Sequence, residues 1–181
     1  DGRLCPLFCA YPDARHEMTR LEGGLSPSSL ATCLPEACRA FLSKTFVLVT
    51  GATGAIGPAL VDLLLSVGAR VRILARTPAR WSGDRVEAGA GDIRDVSAVA
   101  DGVAGVDAVV HLAGVTEERV GNDPGLYQTT NVLGTRNVVE AARRAGVGRL
   151  VLLSSISVYG PSENVFAGWI DDRFDIFIMN P

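Results

Sequence analysis

The stretch TGATGAIGP at residues 50–58 sets three glycines, Gly51, Gly54 and Gly57, at the spacing G-x-x-G-x-x-G. It follows TFVLVT (45–50), a short β-rich apolar run, and leads into PALVDLLLSV (58–67), which has a helical period. A strand that runs through glycines straight into a helix leaves few folds open. Gly51 permits a tight turn, Gly54 lets another group approach the backbone where a Cβ would stand, and Gly57 lets the helix pack closely on the strand. The unpaired N–H groups and the dipole of the helix start favour an anion, and a pyrophosphate above all. A tight turn with no ligand is the competing reading. The strand–loop–helix context selects the phosphate cradle.

The rest of the chain repeats this alternation. Pro58 stands in the first helical turn, where its missing N–H costs little. Leu60, Leu63, Leu64 and Val67 share one face of that helix, and Gly68 ends it. RVRILAR (70–76) is a second strand, and DRVEAGAGD (84–92) contains a short third. VSAVADGVAG (96–105) is a helix and VDAVVHLAG (106–114) a fourth strand. TTNVLGTRNVVEAARRAG (129–146) is a long helix ended by Gly146, and RLVLLSS (149–155) a fifth strand. Strands joined through helices are parallel, and their unbroken apolar character requires cover on both faces. The predicted fold is α/β: a doubly wound parallel Rossmann sheet with about five strands. Residues 1–43 form an irregular extension, 44–160 the dinucleotide-binding domain and 161–181 a divergent tail. Within the extension, LEGGLSPSS (21–29) reads as loop and LPEACRAFL (34–42) as a short helix.

Composition narrows the partners. The 181 residues carry a net charge of −3 with no basic block, which argues against a nucleic-acid or anionic-membrane surface. No apolar run approaches the roughly 18 residues of a bilayer span. Cys5, Cys9, Cys33 and Cys38 all lie in the extension. Two readings stand: free thiols in a reducing compartment, hence a cytoplasmic protein, or a metal cluster with His16. The spacings C-x3-C and C-x4-C are poor for zinc, so no metal is expected.

Five segments in order, TGATGAIG, GDIRD, HLAG, NVLGT and LLSSISVYG, resemble the extended short-chain dehydrogenase/reductase family, the NAD-dependent epimerase/dehydratase proteins. The resemblance covers about residues 45–160, with Ala55 in place of an aromatic residue often found in the loop. It implies an enzyme that uses NAD(P) on a hydroxyl or carbonyl group of a nucleotide sugar, a sterol or a similar small molecule. It also makes a homodimer compatible with the chain. Cofactor binding falls to Gly51, Thr53, Gly54, Ala55, Ile56 and Gly57. Asp92 and Ile93 are expected beside the adenine; their alternatives are a helix N-cap and a core contact. Ala113 and Gly114 are expected near the ribose. His111 reads as a satisfied core histidine rather than a base.

An acidic residue at the end of the second strand would bind the ribose hydroxyl of NAD, whereas arginine suits the 2′-phosphate of NADP. Here Ala75 takes the acidic position and Arg76 follows, with Arg80 nearby, so NADP is favoured and NAD stays compatible. A solvated surface arginine is the alternative for Arg76. The resemblance assigns the catalytic serine to Ser155, with Ser154 the alternative, and a site-supporting asparagine to Asn131. The alternative for Asn131 is an asparagine that only bonds backbone. The family's Y-x-x-x-K is absent: Lys44 is the one lysine, and Tyr159 belongs to VYG. The expectation is therefore a chain lacking the C-terminal strands and substrate domain. The alternatives to an enzyme are a non-catalytic NADP-binding module and an inactive fragment.

Overall fold

The computed structural model describes residues 26–77, 81–115, 123, 125–155 and 174–179. Two short helices, α1 (Pro27–Cys33) and α2 (Glu36–Leu42), precede β1 (Phe46–Thr50). Then come α3 (Gly57–Ser66), β2 (Arg70–Ala75), β3 (Val86–Ala90), α4 (Val96–Val103) and β4 (Ala108–His111). A π-helical segment, Tyr127–Gly134, runs into α5 (Thr135–Arg144), and β5 (Arg149–Ser155) and β6 (Phe174–Met179) close the order. All six strands are parallel, in the order β3-β2-β1-β4-β5-β6. This is the doubly wound Rossmann arrangement, whose strand order reverses between β1 and β4.

Every residue of β1 is buried, and the alternation of its side chains divides the core in two. Phe46 and Leu48 face α4 and α5, where they join Leu74, Val99, Val103, Val109 and Val138. Val47 and Val49 face α3, with Val61, Leu64, Val71 and Ile73. A strand buried on both faces has no polar positions to offer, which is why TFVLVT carries no alternation.

Several local readings change. The sheet has six strands where the sequence predicts about five: Phe174–Met179, within the tail, pairs in parallel with β5 from Leu150↔Phe174 to Ser155↔Met179. That pairing depends on a distant partner edge, which no sequence window displays. The extension is not irregular throughout. Of the stretch read as loop at 21–29, residues 27–29 belong to α1, whose Pro27 can open a helix because the N–H it lacks would be unpaired there, while 21–25 lie outside the described residues. Ala31 and Cys38 are 8% and 3% exposed, so α1 and α2 hold by docking rather than by periodicity. In α3 the buried face centres on Val61 and Leu64, with Val67 buried at the C-cap and Leu60 and Leu65 packed beside it; Leu63, expected on that face, is half-buried outside both core clusters. The long helix is already formed at Gly125 and Leu126, and it is π-helical from Tyr127 to Gly134. Gly68 and Gly146 end their helices with φ of +91° and +71°, as their positions predict.

Leu48 is fully buried where β1 meets α4. Leu48→Ala is expected to cost about 2–5 kcal/mol in chemical denaturation, the range for a cavity in a packed core. Phe41→Ala, at a residue 62% exposed, is expected to stay within about 0.5 kcal/mol of the wild type.

Candidate dinucleotide site

At the reversal point Thr50 pairs with His111, so the loops leaving β1 and β4 start side by side. Gly51 takes φ +70°, and a Cβ there would stand 2.5 Å from the Ala113 nitrogen and 2.6 Å from the Leu112 carbonyl carbon. Only glycine permits that approach. Gly57 is equally constrained, since its Cβ would meet the Ala52 backbone, with Ala52 Cα at 2.5 Å. Gly54 differs. Apart from its chain neighbours, a Cβ there would meet the Gly51 carbonyl oxygen at 3.2 Å and no other atom of the described residues within 4 Å. Its face is open, as a phosphate-approach position requires. The start of α3 has no side-chain cap, with Ile56 at the N-cap and Pro58 in the first turn, so first-turn N–H groups are left for an anion.

A cleft opens above this loop. Gly51, Thr53 and Gly54 line one side; Ala75 and Arg76 at the end of β2 and Gly91–Arg94 after β3 line the next; and Leu112–Val115 with Leu126 and Thr130 close it. Of the residues predicted to bind cofactor, Gly51, Thr53, Gly54, Arg76, Asp92, Ile93, Ala113 and Gly114 border this one cleft. Ala55, Ile56 and Gly57 do not line it: the first two are exposed on the loop, and Gly57 is buried under it. The open face at Gly54 and the uncapped helix suit a pyrophosphate, so these residues fit a dinucleotide.

Asp92 accepts from Arg94 Nη2 at 2.6 Å, Arg94 Nε at 3.0 Å and the Arg94 N–H at 2.9 Å. The Arg94 side-chain hydrogen bonds, opposed by partial burial, hold its carboxyl below the usual carboxylate range, and the Arg76 charge adds to this. Asp92 is not a helix cap. Asp95 caps α4, accepting from the Ser97 and Ala98 N–H groups at 2.8 and 3.3 Å and from Ser97 Oγ, and the Ser97 bond leads in lowering its pKa. Ile93 is both a core contact and a cleft residue, 6% exposed.

The helix after the cleft holds both of the facing loops. Asn131 Nδ2 donates to the Val115 carbonyl at 2.9 Å, and Asn131 Oδ1 accepts from the Val115 N–H at 2.8 Å. Asn137 Nδ2 donates to the Ile93 carbonyl at 3.0 Å. Between them Gly134 admits Ile93, whose Cδ1 would lie 2.7 Å from a Cβ at that position. Gly134, Thr135 and Asn137 escape the sequence reading, although NVLGTRN places them three, four and six residues after Asn131. Arg94 escapes it too. Ser155 ends β5 on the side of the sheet where the parallel strands β1 and β4 also end, at Thr50 and His111. Ser154 is half-buried. Arg80, Tyr159, Cys5, Cys9 and His16 lie outside the described residues. No three of His, Cys, Asp and Glu converge among the described residues, and no helix there is long and apolar enough to cross a membrane.

His111 is fully buried under the cleft. Its Nδ1 shares a 2.6 Å hydrogen bond with Thr50 Oγ1, and its Nε2 a 3.0 Å bond with Thr135 Oγ1. Burial pushes its pKa from the usual 6.5 to about 4. Between those values the unfolded chain binds a proton that the folded chain refuses, so stability falls as the pH drops from about 6.5 to about 4. The loss across that window is expected to be roughly 3 kcal/mol. In urea denaturation the stability advantage of wild type over His111→Gln should shrink by that amount between neutral pH and pH 4; a constant difference would mean that the histidine takes up its proton as readily in the fold as in the unfolded chain.

The family model for the NAD dependent epimerase/dehydratase family matches residues 47–173. Sterol demethylase protein B of Methylococcus capsulatus is 41% identical over 116 residues, 62% of this chain and 35% of that protein. The 3 beta-hydroxysteroid dehydrogenase/Delta 5-->4-isomerase of Mycobacterium tuberculosis is 38% identical over 128 residues, 67% of this chain and 35% of that protein. Among solved structures, MoeE5 in complex with UDP-glucuronic acid and NAD superimposes with a TM-score of 0.58 at 36% identity, covering 66% of this chain and 40% of that one. The chain thus spans about a third of the length of these curated relatives. Its family model, strand order and glycine loop agree, and the chain belongs to the NAD dependent epimerase/dehydratase family.

Proposed function

We propose that the chain is the NADP(H)-binding portion of an oxidoreductase or epimerase acting at a hydroxyl-bearing or carbonyl carbon of a sterol, a nucleotide sugar or a similar molecule. The observation that carries this reading is the open backbone at Gly54 above an uncapped helix start. In it, Gly51–Gly57 and the start of α3 hold the pyrophosphate, Asp92 and Ile93 border the adenine, and Ala113 and Gly114 border the ribose. The bound nicotinamide supplies a hydride acceptor or donor. Asn131 keeps the β4 loop in register through Val115, and Ser155 orients the substrate oxygen. The choice of NADP rests on Ala75 and the exposed Arg76, and NAD in the MoeE5 complex keeps the test open to both. The substrate classes follow the sterol-acting relatives and the nucleotide-sugar complex. A cytoplasmic setting is supported by Cys33 and Cys38, neither of which forms a disulfide among the described residues, and self-association by the exposed Val132 and Leu133.

One observation favours binding without turnover by these 181 residues alone: Lys44 is their one lysine, and they contain no Y-x-x-x-K. Positioned acid–base catalysis contributes about 10²–10⁴ in rate. The chain by itself is therefore expected to bind cofactor yet show no measurable reduction or epimerisation. Turnover abolished by Ser155→Ala would overturn this.

Gly54→Val is expected to abolish dinucleotide binding in calorimetric titration while circular dichroism stays that of the wild type, because the added side chain fills open space. Gly51→Val and Gly57→Val should instead lose the fold, since backbone atoms occupy the space that a Cβ would need. Retained affinity in folded Gly54→Val would remove the loop from the site. Arg76→Ala should weaken NADP(H) by about 1.5–3 kcal/mol, the scale of a hydrogen bond to a charged group, and leave NAD(H) unchanged.

A further inference from the structure

The β2 end of the cleft holds a second guanidinium that the reading above does not use. Arg94 is pinned to Asp92 through Nε and Nη2. Its Nη1 makes no hydrogen bond among the described residues. The side chain nevertheless stays 45% exposed and borders the same cleft as Arg76. A guanidinium is planar, so fixing one edge fixes the direction of the other. Asp92 therefore acts as a rigid mount, and the ordering cost of Arg94 is met before a ligand arrives.

We propose that Arg94 and Arg76 together form a two-armed clamp for a phosphomonoester on the adenosine ribose, with Arg94 held in place by Asp92. This rests on the reading that the cleft takes a dinucleotide carrying that phosphate.

The charges support a dianion at this point. Two guanidinium charges act on one carboxylate, and that carboxylate is already paired with Arg94. The next acid, Asp95, is turned to the N-terminus of α4 and committed to Ser97 and Ala98. The Arg76 charge contributes to keeping Asp92 ionised, which places the two arms within electrostatic reach of one group. The loop itself is anchored independently of Arg94: Asn137 holds the Ile93 carbonyl, and Ile93 is packed against Gly134. Removing the Arg94 side chain thus removes an arm of the clamp and leaves its base standing.

The test is calorimetric titration of the full chain with NADP⁺, NAD⁺, and adenosine 2′,5′-bisphosphate against AMP, in wild type, Arg94→Ala and Arg94→Lys. Arg94→Ala should lose about tenfold or more in affinity for NADP⁺ and for the bisphosphate, with NAD⁺ and AMP held within about twofold. Arg94→Lys keeps the charge without the fork and should recover only part of the loss. A wild type that prefers NADP⁺ beside an Arg94→Ala variant that prefers it equally would overturn the clamp and leave the cofactor reading standing. Equal losses for NADP⁺ and NAD⁺ would make Arg94 a loop support and overturn it as well. A wild type with no preference between the bisphosphate and AMP would remove the NADP reading itself.

Discussion

The close approach of Gly51 to Ala113 is the constraint on which the rest of the site depends. Two backbone segments from β1 and β4 meet with no room for a Cβ, at the point where the strand order reverses. Were they farther apart, the loops would enclose no narrow cleft, and the start of α3 would not face the ends of β2 and β4. The approach is possible because Gly51 has a positive φ and no side chain. It is fixed because Thr50, one residue earlier, is bonded to His111 beneath it. A buried neutral histidine with both ring nitrogens engaged acts here as a spacer of set length. Its second hydrogen-bond partner, Thr135, ties the same point to the helix behind.

That helix determines the other walls. Asn131 and Asn137 hold the loop after β4 and the loop after β3 through backbone atoms, so the cleft's two facing loops share one rigid support. The opposite end of the sheet is braced separately. Arg72 Nη1 donates to the carbonyls of Gly102 and Ala104 at the end of α4, its Nη2 pairs with Glu87, and its guanidinium lies over the Phe46 ring. A rigid base and rigid walls give a binding site whose geometry is set before the ligand arrives, which lowers the ordering cost of binding.

What the sequence reveals follows from which determinants are local. The glycine loop is legible because its three constraints lie within seven consecutive residues and are bounded by a strand and a helix. The double winding is legible because β1, β2 and β4 are short apolar runs separated by helical periods. The sixth strand and the docking of α1 and α2 are not, because each is decided by a partner far along the chain. The same holds within the site. Asn131 stands out by its motif, whereas Asn137 gains meaning only once Ile93 lies beside Gly134. Arg94, two residues from Asp92, looks like a solvated charge until its fork is seen on the carboxylate.

The most direct measurement is an amide-resolved NMR titration of the isotopically labelled chain with NADP⁺. The account predicts that the largest shifts fall on Gly51, Thr53, Gly54, Arg76, Arg94 and Gly114, which surround one cleft. Smaller shifts are expected at Val115, through Asn131. Shifts gathered between α4 and α5, or along β3, with the glycine loop unmoved would contradict it.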